Sequence, residues 1–85
     1  MIKEIREAIE KKKAIIGTTL TLKNLRFANL NKVFVAKNCP EKVLNEIKNI
    51  LGNAELVHME QNNDEFGVLC KRQHSISVLG LTKND

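Results

Sequence analysis

Lys71-Arg72-Gln73-His74 sets two cations, an amide and an imidazole side by side. The Arg72 guanidinium can fork two hydrogen bonds onto a phosphate or a guanine edge. His74 offers a planar ring on which an unpaired base can stack, the usual means of reading looped RNA. Ile76 stands at the edge of this run as an apolar contact, although burial in a core is its expected role. A polar loop leading into a strand would have the same composition, so the run does not establish binding by itself. A second group surrounds Gly17. With no side chain there, backbone can approach a ligand closely. If a helix begins just after it, that helix adds unpaired N–H groups and the positive end of its dipole. Lys23 then stands one turn in, placed to neutralise a phosphate, with Arg26 on an adjacent part of the surface. The plainer reading is a strand-to-helix turn capped by Thr18 or Thr19. Lys37 and Asn38 form a third, smaller group at the mouth between a strand and the next helix.

Catalytic chemistry finds little support. His58 and His74 are the only histidines, and no Walker loop, dinucleotide fingerprint or zinc-ligand spacing occurs. Cys39 and Cys70 form neither a metal motif nor a disulfide framework. Cys39 precedes Pro40 at a helix start, where a thiol pKa can be lowered, but it has no paired base. Asp64-Glu65 are adjacent carboxylates whose place at a helix start is explained by the dipole. No metal, cofactor or enzymatic activity is expected.

Charge is distributed unevenly. The net charge is +4. From Lys11 to Lys37 the chain carries Lys11, Lys12, Lys13, Lys23, Arg26, Lys32 and Lys37 without an acid, whereas Asn49 to Cys70 carries Glu55, Glu60, Asp64 and Glu65 without a base. Such segregation predicts one positive face, the footprint of a phosphate-backbone partner. Lys11-Lys12-Lys13 alone reads as a solvated helix end.

These residues must be positioned by a small fold. The 85 residues make one domain, and 42% hydrophobic content with one proline and four glycines permits an ordered core. That core is aliphatic apart from three phenylalanines, since Trp and Tyr are absent. No apolar run approaches a membrane span and the first residues lack a signal-peptide pattern, so a cytoplasmic monomer is expected.

Ile2, Ile5 and Ile9 mark a helix over Ile2–Lys12. Ala14-Ile15-Ile16 reads as a buried strand. Thr18 to Leu22 alternates like a strand, yet Leu22, Leu25 and Ala28 share a helical face; local evidence slightly favours helix. Val33 to Ala36 is a β-prone central strand. Pro40, Glu41 and Gly52 bracket a helix whose stripe is Val43, Leu44, Ile47, Ile50 and Leu51. A strand over Glu55–Met59, a short helix from Glu65 to about Cys70 capped within Asn62-Asn63-Asp64, and a strand over Ser75–Leu81 complete the chain. In that last strand Ile76 and Val78 are assigned to one face, Leu79 and Leu81 to the other. The order α-β-α-β-α-β-α-β predicts a sheet between helices.

In that order, the sequence resembles the large-subunit ribosomal protein 30e family of archaea and eukaryotes, within the 7Ae/30e superfamily of kink-turn RNA binders. Ile16-Gly17-Thr18-Thr19-Leu20-Thr21-Leu22-Lys23, continuing through Lys32 to Pro40, is similar to that family's strand, glycine, helix start and Asn-Cys-Pro turn. Phe66 to Val78 is similar to its helix, basic loop and last strand. The resemblance implies a three-layer α/β/α sandwich on a four-stranded mixed sheet and makes Thr18–Leu22 helical. It further implies that RNA is held by the glycine turn, the second helix's N-terminus and the loop before the last strand. In the 7Ae branch an Asn-Glu pair after the glycine engages sheared G·A pairs; here Thr19 and Leu20 stand there, and Leu20 can neither donate nor accept a hydrogen bond. The expected function is therefore binding of a bent or kink-turn-like rRNA element within the large subunit, with neighbouring ribosomal proteins as possible co-partners. The compact chain suggests the archaeal branch. The alternatives are a stand-alone kink-turn protein of 7Ae type, a protein-interaction module on the same fold, and a small enzyme on a similar scaffold. The acid-free Lys11–Lys37 stretch counts against the interaction module. All RNA-binding readings require the Gly17 turn and the Lys71–His74 loop to meet at one end of the sheet.

Overall fold

A computed structural model describes residues 2–83. The apolar periodicities resolve into α1 (Ile2–Glu10), β1 (Ala14–Ile16), α2 (Thr18–Arg26), β2 (Leu30–Val35), α3 (Glu41–Ile50), β3 (Glu55–His58), α4 (Asn63–Leu69) and β4 (Val78–Thr82). The expected order of elements is therefore the observed one. Thr18 onward is helical, as the family resemblance implied.

The strands lie in the order β1-β4-β2-β3. β4 runs antiparallel to both β1 and β2, while β2 and β3 are parallel. Val35 faces Val78 on one side and His58 on the other. Helices cover both faces. On one, Ile5 of α1 and Phe66 and Leu69 of α4 pack with Phe34, Leu79 and Leu81. On the other, Leu25 of α2 and Ile47 of α3 pack with Val33, Val35 and Val78. The molecule is thus a three-layer α/β/α sandwich. Among the described residues no helix is long and apolar enough to cross a membrane.

Boundaries differ from expectation where tertiary contacts outweigh local pattern. β4 begins at Val78, not Ser75. The Ile76 amide donates to the Asn63 carbonyl at 3.0 Å, and the Ser77 carbonyl accepts from the Ala36 amide at 2.8 Å. Residues 75–77 thus form a loop clamped between α4 and β2, and strand alternation does not extend into it. Ile76 and Val78 consequently lie on opposite faces of the sheet, not on one. β2 starts earlier than expected, at Leu30, beyond a register irregularity between Leu30 and Lys32. The cap of α2 is Gly17, and no side chain caps it, so neither Thr18 nor Thr19 fills that role. Ala28 lies beyond the helix and is exposed rather than on its apolar face. It takes φ 55°; its amide donates to Leu25 and that of Asn29 to Asn24, closing the helix C-terminus.

Candidate nucleic-acid interface

β1, β2 and β3 point the same way and β4 points back, so three strands end at the edge where β4 begins. That edge gathers Gly17 after β1, Lys37 and Asn38 after β2, and the segment entering β4. Backbone and side-chain hydrogen bonds stitch them together. The Gly17 amide donates to the Val78 carbonyl at 3.1 Å, and the Lys37 amide to Gln61 at 2.8 Å. The Asn38 amide group clasps Asn63: its Nδ2 donates to Asn63 Oδ1 and its Oδ1 accepts from the Asn63 amide, both at 2.8 Å. Since Asn63 also accepts from Ile76, the turn after β2, the start of α4 and the loop before β4 form one connected unit.

Gly17 adopts φ 112° and ψ 150°, a region that only glycine occupies without strain. This conformation turns the chain from β1 directly into α2. The N-terminus of α2 thereby opens at the shared edge. Thr18 is half-buried there, whereas Thr19, Leu20, Lys23 and Arg26 are exposed.

The basic loop is held by a different device. A Cβ on Gly67 would collide with the His74 carbonyl, so the absence of a side chain lets the loop backbone lie directly on α4. Lys71, at φ 58°, ends α4, and the Arg72 amide donates to the Gly67 carbonyl at 2.9 Å. Lys71 and Arg72 therefore sit at the far end of α4, about one helix length (roughly 10 Å) from the Asn38–Asn63 clasp. The loop then returns through exposed Gln73 and His74 to Ser77 beside the clasp. One ring nitrogen of His74 lies 3.1 Å from the Ser75 carbonyl.

The structure thus brings together Gly17, Thr18, Thr19, Leu20, Lys37, Asn38 and the end of the loop, with Lys23 and Arg26 further along α2. Ile76 is only 2% exposed and packs in the core. This is the core burial expected of it, so it does not meet a ligand but anchors the loop from beneath. The acid-free run does not form a single positive face. Lys13 precedes β1 and its carbonyl accepts from Thr82 at 2.9 Å, which puts Lys11–Lys13 at the opposite end of the sheet. Lys32 is paired with Glu4 at 3.2 Å.

Sequence reasoning missed the second role of Asn63, which read only as part of a capping segment. Its partner Asn38 is 25 residues away, too far for any local signal. The capping itself is present: Asn62 and Glu65 form a reciprocal capping box. Burial pushes the Cys39 thiol pKa up, opposite to the direction its helix-start position suggested. Burial also raises that of Cys70, with Arg72 pulling in the other direction.

No family model matches the chain. It is 35% identical over 68 residues to the large ribosomal subunit protein eL30 of Archaeoglobus fulgidus, a match covering 80% of this chain and 77% of that one. Its fold is similar to that of a Giardia lamblia 15.5kD RNA binding protein, with a TM-score of 0.77, 14% identity, and coverage of 99% of this chain and 72% of the other. A Bacillus halodurans protein of unknown function matches equally well in shape, at TM-score 0.77 and 13% identity over 96% of this chain and 83% of that one.

Proposed function

The chain belongs to the eL30 family of large ribosomal subunit proteins, and from that premise we propose that it binds a bent or kink-turn-like rRNA element as a structural constituent of the large subunit. One observation carries the site. The Gly17–Val78 hydrogen bond ties the glycine turn to the start of the last strand, so the turn and the returning end of the basic loop can meet one RNA, whereas Lys71 lies away from them beside Arg6, Ile9 and Glu10. In this reading the backbone at Gly17 and the first turn of α2 approach the sugar-phosphate backbone, and Thr18 and Thr19 add short-range hydrogen bonds. Lys23, Arg26 and Lys37 neutralise phosphates. Asn38 chiefly holds the loop through Asn63. His74 stacks on an unpaired base, Gln73 hydrogen-bonds beside it, and Lys71 and Arg72 reach an outlying segment of the backbone. The protein acts as a non-enzymatic monomer in the cytoplasmic ribosome, with RNA and neighbouring ribosomal proteins as partners.

Leu20 supports a composite site over a self-sufficient kink-turn reader. It is 54% exposed at the α2 N-terminus and has no group to pair with a sheared G·A edge. The remaining specificity then comes from RNA shape and from surfaces supplied by the assembled particle.

The decisive experiment titrates the protein against a kink-turn RNA, a copy with disrupted G·A pairs and a plain duplex, at several salt concentrations. Neutralisation of about five phosphates gives a log K versus log salt slope near −4. Lys23→Ala should weaken binding to all RNAs alike and reduce that slope by about one. Equal affinity for the three RNAs would remove bent-RNA recognition, and absence of binding at low salt would remove RNA as the partner.

A further inference from the structure

The outward face of α2 carries a stripe that the core does not use. Leu20, Lys23 and Phe27 follow the i, i+3, i+7 spacing of one helix face, while Thr21 and Leu25 are buried on the opposite side. Phe27 is 72% exposed, whereas the other two phenylalanines, Phe34 and Phe66, are fully buried. Leu20, 54% exposed, lies on the same face, so the helix presents two large apolar side chains with a lysine between them.

Fraying of the helix end does not account for the exposure of Phe27. The Phe27 amide donates to Lys23 at 3.4 Å, Ala28 to Leu25 at 2.9 Å and Asn29 to Asn24 at 3.0 Å. Side chains reinforce the turn. Asn29 Nδ2 donates to Asn24 Oδ1 at 3.0 Å, and Asn24 Nδ2 donates to the Leu20 carbonyl at 2.8 Å. The ring is therefore presented on a fixed platform.

The charges around it indicate what it meets. Lys23 stands one turn before Phe27 and Arg26 immediately before it, and α2 itself carries no acid. Lys83 adds a further cation near this end, because its amide donates to the Asn29 carbonyl at 3.0 Å. The buried centre of a protein–protein contact is depleted of lysine and of charge generally. A lone aromatic flanked by cations matches the stacking platforms of single-stranded nucleic-acid sites, where the ring takes a base and the cations take phosphates.

We propose that Phe27 is a base-stacking platform: RNA leaving the glycine turn follows the outer face of α2, its phosphates against Lys23 and Arg26, and an unpaired nucleotide stacks on the Phe27 ring. This rests on the reading of the Gly17 edge as the RNA site. A nine-residue helix is roughly 13 Å long, so the stacked nucleotide is not the one at the glycine turn. It belongs to a flanking single strand or loop.

The test uses the full chain with two kinds of probe: a flush-ended kink-turn RNA, and the same RNA with a four-nucleotide single-stranded extension carrying 2-aminopurine, on the 5′ side in one RNA and on the 3′ side in another. The extended RNA on the correct side should bind the natural protein more tightly and its 2-aminopurine emission should be quenched. Phe27→Ala should lose affinity for that RNA by roughly 5- to 150-fold and abolish the quenching, with flush-ended binding unchanged. Phe27→Trp should retain both, and Phe27→Leu, which keeps apolar bulk without an aromatic face, should behave like the alanine variant. Extended RNA that binds Phe27→Ala or Phe27→Leu as well as the natural protein overturns the platform alone, and then points to a protein neighbour over this residue. Loss of discrimination between bent and duplex RNA in the natural protein overturns the underlying site instead, and the platform with it.

Discussion

Gly17 is where one residue type decides whether the candidate site exists. Its φ of 112° and ψ of 150° place any other residue in strained backbone, at a cost of about 1–3 kcal/mol. Gly17→Ala should lower the denaturation midpoint by a corresponding amount in urea titration. It should also weaken RNA binding, because relaxing the turn breaks the hydrogen bond to Val78. Full stability in the alanine variant would mean that the turn can adopt another geometry and that the close approach of backbone to RNA does not require glycine there. The importance of this glycine was legible in the sequence as a strand terminator before a helix. Its bonding partner was not, being sixty-one residues on, at the start of another strand.

α4 and the loop that follows it act as one element. The capping box of Asn62 and Glu65 fixes where the helix starts, and the αL residue Lys71 fixes where it ends. Between them Gly67 is a poor helix former retained at a point where the loop crosses. In an isolated helix Gly67→Ala would gain about 1 kcal/mol. Here the added methyl meets the His74 carbonyl backbone, which cannot rotate away as a side chain would. Net destabilisation of about 1–3 kcal/mol is expected, with a displaced basic loop visible as altered amide shifts from Arg72 to Ser77. A stabilised variant with an unmoved loop would show that the loop does not depend on α4 for its position. The helix and its cap were readable from local residues, since capping spans four positions. The crossing was not, because it depends on how the chain returns.

For the whole molecule, the two core layers share the sheet. Phe34 and Phe66 lie in the same layer, one from β2 and one from α4, and both are fully buried. Phe34→Ala should cost about 3–5 kcal/mol, a large share of the 5–15 kcal/mol typical of a small domain. Calorimetry should show a strongly lowered and broadened transition, with RNA binding lost at temperatures where the natural protein still binds. A small shift would mean that the layer repacks around the missing ring.

The element order, most of the apolar stripes, the capping of α4 and the family likeness follow from the residues alone, because helical and strand periodicities and capping groups act over a few neighbours. The placement of β4 between β1 and β2 is a long-range choice. It brings Gly17 against the entry to the last strand, lets Asn38 reach Asn63, sends Lys11–Lys13 to the far end and leaves Phe27 out. None of these had a local signature, since each depends on which distant strands exchange hydrogen bonds and on which side of the sheet the chain crosses.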